Sequence, residues 1–284
     1  MKVEISSPIG FCSGVRKAIA QVKEIRSNFP NRKIYFLGDL VHNQHVVDYF
    51  KNENIEIINL DNDIVFNLKM LNNDDIVIFS AHGHKKEYET ILQEKGILFF
   101  DTTCEKVKVI LKKISEFCGE IIYIGKKNHA ETEASLSYSN EIYLYDINEK
   151  FDFSLLKSEN PLVINQSTLS VLELDEIFND IKRNVKNPIF SDEICGATRI
   201  RQEQILNLKN DVDLAIIVGD KSSNNSLKLY ELASKNLSRK TIMINSVEEL
   251  KNLDLSIYKN AVIFSGTSTP MNLILDIEKY MRGI

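Results

Sequence analysis

Short apolar runs alternate with amphipathic segments along the whole chain. Continuous apolar runs are typical of strands buried on both faces of a parallel sheet, and the amphipathic segments between them predict covering helices. The pattern therefore predicts an α/β protein with mainly parallel sheets. The six runs, each ending in a polar turn, are KIYFLGDLVHN, DIVIFSAHGH, IIYIGKKNHAE, PLVINQSTLS, LAIIVGDKSSNN and NAVIFSGTSTP.

Three cysteines divide this pattern into similar units. Nearly equal intervals separate Cys12, Cys104 and Cys195, and each is followed by a helix, a strand ending in glycine and a polar turn, then by a second helix, strand and polar turn. Matching units at a fixed interval indicate an internal repeat. The sequence thus predicts three repeated α/β domains over residues 1–101, 102–190 and 191–284.

The polar turns are the predicted site of binding. In parallel α/β sheets, ligands bind beyond the carboxyl ends of the strands, and three units facing one centre would bring these ends and the cysteines together. The polar residues found there are His42, His82, His129, Glu131, Ser167, Thr168, Ser223, Asn224, Asn225 and Ser268.

Composition narrows the classes of partner. The chain has 284 residues, of which 43% are hydrophobic and 26% charged, as in ordinary globular proteins. The net charge of −5 comes from interspersed acidic and basic residues, so neither nucleic acid nor a membrane surface is an expected partner. No apolar run approaches the roughly 18 residues of a membrane span, and the N-terminus lacks an apolar signal core. We expect a cytoplasmic protein.

The cysteines suggest a metal centre. A reducing cytosol disfavours disulfides, and no Cys pair has the close spacing that zinc sites usually contain. Three distant thiolates suit a four-iron cluster whose fourth iron has no protein ligand and can act as a Lewis acid or pass electrons. A zinc-holding binding protein and a non-redox cluster (de)hydratase stay open on these residues. Cys118, by contrast, is interpreted as an ordinary buried cysteine at the end of a helix.

The histidines and Glu131 suggest the substrate chemistry. Three histidines at strand ends, together with KSSNNS and SGTSTP, form a set of donors suited to phosphate or diphosphate oxygens. Nucleotide binding lacks support because the chain contains neither a Walker loop nor G-x-G-x-x-G. Glu131 lies two residues after His129, so an extended segment would place both on one side, where the carboxyl group could relay protons. The other interpretation of Glu131 and Glu133 is an acidic first helical turn, which the helix dipole favours.

The motifs in order resemble one known family. GFCSGV, VHN, SAHG, DTTC, HAETE, QSTLS, DEICGAT, RQ, KSSNNS and SGTSTP are similar to the motif series of the 4-hydroxy-3-methylbut-2-enyl diphosphate reductases, iron–sulfur enzymes of the methylerythritol phosphate route to isoprenoids. The series runs from residue 10 to residue 270. It departs from the family at Glu105, where proline is common, and at Ser167, where the family has threonine.

The resemblance implies a fold, a cofactor and a reaction. The fold is a trefoil of three α/β domains around a central iron–sulfur site. The cofactor is one 4Fe-4S cluster held by Cys12, Cys104 and Cys195, with an apical iron that no cysteine ligates. The reaction is reductive dehydroxylation of 4-hydroxy-3-methylbut-2-enyl diphosphate to isopentenyl and dimethylallyl diphosphate, with electrons from a one-electron donor such as ferredoxin or flavodoxin.

The resemblance also implies roles for the polar turns. Glu131 matches the proton-donating glutamate, and Ser167 and Thr168 match a hydroxyl pair that orders it. His129 is implied to lie near the diphosphate and the hydroxymethyl end of the substrate. The residues implied to bind the substrate's diphosphate are His42, His82, Ser223, Asn225 and Ser268, together with Asn224, which stands where the family has serine.

Overall fold

Three four-stranded parallel sheets organise the chain. The computed structural model describes residues 1–60, 63–209, 211–236 and 240–283, and every strand pairing in its sheets is parallel. The predicted α/β fold with parallel sheets in three units is confirmed. The first strand is β1 (Lys2–Ile5).

The first unit carries a sheet of order β3-β2-β4-β5. Its helices flank the sheet as βαβ connections require. The elements are α1 (Ser13–Asn28), β2 (Ile34–Leu37), α2 (Gln44–Asn52), β3 (Ile55–Ile58), α3 (Ile64–Met70), β4 (Ile76–Phe79), α4 (Lys86–Glu94) and β5 (Leu98–Asp101).

The second unit repeats this order as β7-β6-β8-β9. A short 3-10 turn at Phe153–Leu155 replaces one of the helices. The elements are α5 (Glu105–Glu116), β6 (Ile121–Gly125), α6 (Ala130–Leu136), β7 (Ile142–Asp146), β8 (Leu162–Asn165), α7 (Val171–Asn184) and β9 (Ile189–Ser191).

The third sheet has the order β11-β10-β12-β1, so its last strand comes from the opposite end of the chain. β1 pairs with β12 in parallel, from Lys2 opposite Asn260 to Ile5 opposite Ile263. The elements are α8 (Gly196–Leu206), β10 (Leu214–Val218), α9 (Asn224–Asn236), β11 (Lys240–Ile244), α10 (Val247–Lys251), β12 (Asn260–Ser265) and α11 (Met271–Arg282).

Each cysteine follows an edge strand that belongs to the preceding unit's sheet. β5 leads to Cys104, β9 leads to Cys195, and β1 leads to Cys12 from the third sheet. The predicted domain ranges stay a prediction, but β1, which falls within 1–101, lies with the third unit. The reason is that β1 pairs with β12 at the edge of the third sheet, the position that β5 and β9 occupy in the first and second sheets.

The core lies on both faces of the sheets. The two middle strands of each sheet are almost wholly buried, which accounts for their continuous apolar runs. Helices cover them with apolar stripes; α1 buries Val15, Ala18, Val22 and Ile25, spaced three or four residues apart. Burial of a side chain such as Val22 or Ile25 stabilises the fold by about 1.5–3 kcal/mol.

One cysteine departs from its predicted setting. Cys118 is exposed, because α5 ends at Glu116 and the chain leaves the helix before reaching it. The interpretation of Cys118 as a buried helical residue is therefore wrong.

None of the helices within the described residues is long and apolar enough to cross a membrane. The cytoplasmic location stays a prediction.

Candidate active site

One cavity is bordered by residues of all three units. It lies beyond the carboxyl ends of the paired middle strands, where the chain order reverses and parallel α/β sheets bind ligands. Every site residue predicted from the sequence lines it. These residues are Cys12, His42, His82, Cys104, His129, Glu131, Ser167, Thr168, Cys195, Ser223, Asn224, Asn225 and Ser268.

The paired middle strands explain this convergence. Each of the six is followed by a polar turn that reaches the cavity, so all three units present equivalent positions. In chain order these are His42 after β2, His82 after β4, His129 after β6, Ser167 after β8, Ser223 after β10 and Ser268 after β12.

The three cysteines lie at equivalent helix starts. Cys12, Cys104 and Cys195 are the N-cap residues of α1, α5 and α8, where free N–H groups and the helix dipole favour a negative charge. The Sγ of Cys12 accepts a hydrogen bond from the N–H of Val15 at 3.4 Å. Burial raises the pKa of the Cys104 thiol, and the N–H of Lys106 partly opposes this rise.

Gly14 marks the space between two of the sulfurs. A Cβ atom at this position would lie 2.6 Å from the Sγ of Cys104 and 3.8 Å from the Sγ of Cys12. Within the described residues, no three His, Cys, Asp or Glu side chains converge as the ligands of a single metal ion would. The sulfurs border a space that only glycine leaves open on this side.

Three imidazole rings cluster on another wall of the cavity. The rings of His42 and His82 are stacked with centroids 4.1 Å apart, and His129 meets them edge-on at 5.4 and 5.8 Å. The ring atoms His42 Nε2 and His82 Nδ1 are buried and have no hydrogen-bond partner in the protein. Unpartnered buried nitrogens on a cavity wall are what a polar ligand would satisfy.

These histidines are neutral at pH 7. Burial lowers the pKa of His42, although the carboxylates of Asp39 and Asp220 oppose the shift. Burial lowers the pKa of His82 well below its usual value, and lowers that of His129 to about 3. A neutral imidazole carries one N–H donor, so each ring can donate to an anionic oxygen.

Hydroxyl and amide groups of the third unit complete this wall. Asn225 is 3% exposed, and neither its Oδ1 nor its Nδ2 has a partner in the protein. The Oγ of Ser223 accepts from the N–H of Ser226 at 3.3 Å, and Ser268 Oγ donates to the carbonyl of His42 at 3.1 Å. The wall therefore contains hydroxyl groups that are fixed by hydrogen bonds and an amide group that has no partner in the protein.

Glu131 is a buried carboxyl group held by one neighbour. It is 1% exposed; its Oε1 accepts from the N–H of Ser167 at 2.7 Å and its Oε2 from the Oγ of Ser167 at 2.8 Å. Burial raises the pKa of Glu131 to about 7, while the two hydrogen bonds from Ser167 oppose the rise. A carboxyl group with this pKa can hold and release a proton near neutral pH.

The backbone around Glu131 differs from the expected extended segment. His129 is the N-cap of α6, its Nδ1 accepts from the N–H of Glu131 at 3.2 Å, and Glu131 lies in the first helical turn. The extended segment is therefore wrong, and the alternative of an acidic first helical turn is confirmed. Both side chains nevertheless line the cavity.

Thr168 and Asn224 contact each other rather than Glu131. Asn224 Nδ2 donates to both the carbonyl and the Oγ1 of Thr168 at 3.1 Å, and Gln166 Nε2 donates to the same Oγ1 at 3.0 Å. Asn224 is 4% exposed and starts α9, so it links the second and third units across the cavity.

Sequence reasoning missed several residues at the cavity. Lys106 and Thr198 line it, each on the first turn of a helix that follows a cysteine. The Nζ of Lys106 lies 2.5 Å from Glu193 Oε2, and its charge lowers the pKa of Glu131. Their position shortly after a cysteine in the repeat was the signal that could have identified them.

Fold and site together define a class: an α/β protein with three parallel sheets and a cavity bordered by three cysteines and three histidines. Within that class, the chain belongs to the LytB protein family, whose family model matches residues 3–282. The family resemblance noted in the sequence is confirmed.

Individual relatives agree with this assignment. A protein of Malacoplasma penetrans (strain HF-2) named 4-hydroxy-3-methylbut-2-enyl diphosphate reductase is 36% identical over 280 residues, covering 95% of this chain and 93% of the relative. A protein of the same name from Bacillus subtilis (strain 168) is 33% identical and covers 97% of this chain and 89% of the relative. The solved structure of E-1-hydroxy-2-methyl-but-2-enyl-4-diphosphate reductase from Plasmodium falciparum superposes with a TM-score of 0.83 at 26% identity, covering 98% of this chain and 87% of that one.

Proposed function

We propose that the chain removes the hydroxyl group of 4-hydroxy-3-methylbut-2-enyl diphosphate by reduction. The allylic C–O bond breaks, two electrons and two protons enter, and water leaves. One proton goes to the departing oxygen and the other to carbon. Protonation at either end of the allylic system gives isopentenyl or dimethylallyl diphosphate.

One observation carries this proposal: a buried carboxyl group with a raised pKa, a wall with unpartnered polar atoms and three cysteines border the same cavity. Each part answers one need of the reaction, namely protons, substrate binding and a redox group. The names of the relatives, which match this chain over nearly its whole length, support the same substrate and reaction.

Cys12, Cys104 and Cys195 would hold the redox group, proposed as one 4Fe-4S cluster with an apical iron free of cysteine. The cysteines fit it because the sulfurs of Cys12 and Cys104 border a space kept open at Gly14. All three cysteines are also N-cap residues, and helix N-termini favour the negative charge of ligating thiolates. When bound, such a cluster would supply single electrons and a Lewis-acidic iron. The proposed source of electrons is a one-electron donor such as ferredoxin or flavodoxin.

The histidine wall would bind the diphosphate. His42 and His82 offer ring nitrogens without protein partners, and Asn225 offers a free amide. Ser223, Asn224 and Ser268 extend the same wall and are proposed to bind the same group. Fixing the diphosphate there would leave the C5 chain to extend towards the cysteines and Glu131. Such positioning lowers the entropic part of the barrier.

Glu131 would supply the protons. Its carboxyl group is oriented by Ser167, and His129 lies two residues away at the start of the same helix. Thr168 is proposed to act through Ser167 and Asn224, since its hydroxyl group contacts Asn224 and Gln166. Exclusion of bulk water around a 1% exposed carboxyl keeps its proton for the substrate.

The experiment is an anaerobic assay with the hydroxylated C5 diphosphate, run with and without a reduced one-electron donor. We expect both isopentenyl and dimethylallyl diphosphate, formed only when the donor is present. Conversion without the donor would instead favour a non-redox (de)hydratase. Zinc without iron and sulfide in anaerobically purified protein would favour a zinc-holding binding protein.

A further inference from the structure

Arg201 is a buried cation beside the cysteines. Its side chain lies on α8, the helix that begins after Cys195, and the residue is 2% exposed. One guanidinium nitrogen donates to the carbonyl of Ala197 at 2.9 Å, and another donates to the carbonyl of Gly10 at 2.7 Å. The guanidinium therefore joins the Cys195 helix to the turn that carries Cys12.

That turn is held by the third unit at further points. The N–H of Gly10 donates to Ser265 Oγ at 2.8 Å, and the N–H of Cys12 donates to the carbonyl of Thr267 at 3.0 Å. Gly10 has a φ of 73°, a conformation that side chains disfavour. Arg201 adds a charge to this set of neutral contacts.

The charge of Arg201 lacks a carboxylate partner. Over the described part of the chain, no carboxylate forms an ion pair with it, and its Nε has no hydrogen-bond partner. Burial lowers the pKa of Arg201, the sulfurs of Cys12 and Cys195 raise it, and Arg16 lowers it. A buried cation needs an opposite charge. Arg201 bonds the backbone two residues after Cys195 and two residues before Cys12, the two cysteines whose sulfurs raise its pKa.

We propose that Arg201 is the buried countercharge of the thiolate centre, a positioning residue that stabilises its more negative, reduced form. The inference rests on the proposed function, because it requires a redox group between the cysteines. Each electron taken up adds negative charge, and a fixed cation in a low-dielectric interior stabilises that charge. Arg201 thereby raises the reduction potential while it joins the first and third units.

The test uses anaerobically purified protein and two substitutions at this position. Arg201→Gln removes the charge, and Arg201→Lys keeps it but loses the two diverging hydrogen bonds. The matched control is Arg199→Gln on the same helix, whose side chain is 33% exposed and paired with Asp192. Iron and sulfide are counted, and the midpoint potential is measured by a redox titration followed by electron paramagnetic resonance.

We expect a lower midpoint in Arg201→Gln, a midpoint close to that of the unchanged protein in Arg201→Lys, and no shift in Arg199→Gln. A loaded Arg201→Gln protein with an unchanged midpoint would overturn the inference while the proposed function stands. If Arg201→Gln holds no cluster, Arg201→Lys decides: a loaded protein supports the countercharge, and an empty one overturns it. Absence of iron and sulfide from the unchanged protein would overturn the proposed function, and the inference with it.

Discussion

Glu131 is a carboxyl group whose surroundings act on its pKa in opposite directions. Burial raises the pKa to about 7, and the hydrogen bonds from Ser167 oppose that rise by favouring the ionised form. The result is an acid that is protonated below about pH 7 and ionised above it. This setting suits a group that must deliver a proton at neutral pH.

Replacing Glu131 by Gln tests its role as the acid. Loss of general acid catalysis typically costs about 100-fold or more in rate, so we expect at least that drop in turnover with the cluster content unchanged. The matched control is Glu133→Gln on the same helix, whose partly exposed side chain pairs with Lys85. Turnover of Glu131→Gln equal to that of the control would remove Glu131 from the mechanism.

The pH dependence of kcat/KM follows from the same pKa. The carboxyl must be protonated to donate, so kcat/KM should be level below about pH 7 and fall about tenfold per pH unit above it. The measurement is the initial rate at low substrate concentration from about pH 5.5 to about pH 9, with a fixed excess of donor. A profile that rises through pH 7 would mean that the ionised form is the active one.

Substrate binding should take up protons. The rings of His42, His82 and His129 are neutral in the free protein, and a bound diphosphate would raise their pKa values. Titration calorimetry near pH 7 without reductant, in buffers of different ionisation enthalpy, should show net proton uptake. The control variant His45→Gln should show the same proton uptake as the unchanged protein, because His45 is exposed and its ring bonds the carbonyl of Asn245 outside the cavity. A binding enthalpy independent of the buffer would contradict protonation of these rings on binding.

The identity of the site residues could be predicted from the sequence, but their pKa values could not. Side-chain chemistry and family motifs brought Glu131 and His129 forward, but their pKa values depend on burial by residues distant in the chain. Arg201 illustrates the remaining difficulty. Nothing in its local sequence indicates that it contacts Gly10, since that contact exists only when the first and third units meet.

At the scale of elements, the helix starts determine how the cysteines are presented. Each cysteine caps a helix, and the glycine two residues after Cys12 leaves room for the sulfurs. Gly14 lies within α1 and has no positive φ, so glycine is required here because it lacks a Cβ atom and not because of its backbone conformation.

Replacing Gly14 by Ala should therefore reduce cluster loading while keeping the fold. The new Cβ would lie 2.6 Å from the Sγ of Cys104, whereas Ala favours a helix over Gly by up to about 1 kcal/mol. The matched control is Gly196→Ala at the start of α8, where an added Cβ meets nothing within 4 Å. Iron and sulfide per chain, with the melting temperature, are the measurements. Full loading of Gly14→Ala would show that the space beside the sulfurs is dispensable.

The strands show what the pattern could and could not predict. All six apolar runs became the paired middle strands of the sheets, because burial on both faces requires continuous apolar sequence. The edge strands lacked this signal: β1 (KVEI) and β5 (LFFD) are partly exposed and mix charged with apolar residues. Their short length and mixed composition are shared with ordinary loops.

At the scale of the whole molecule, the units are joined in a ring. Each edge strand that precedes a cysteine completes one unit's sheet and passes the chain to the next unit, and β1 closes the ring by joining the third sheet. The repeat in the sequence predicted three units but not this closure, since it depends on a pairing between residues near the two ends of the chain. The cavity exists only when all three units are assembled.

Reductive dehydroxylation fixes the number of electrons consumed per product molecule, and this number can be measured. Cluster-loaded protein would be given a limiting, known amount of reduced one-electron donor and excess hydroxylated C5 diphosphate under anaerobic conditions. We expect two electrons for each molecule of isopentenyl or dimethylallyl diphosphate formed. Product formed without oxidation of the donor, or donor oxidised by the loaded protein with no loss of the hydroxyl group, would contradict this expectation.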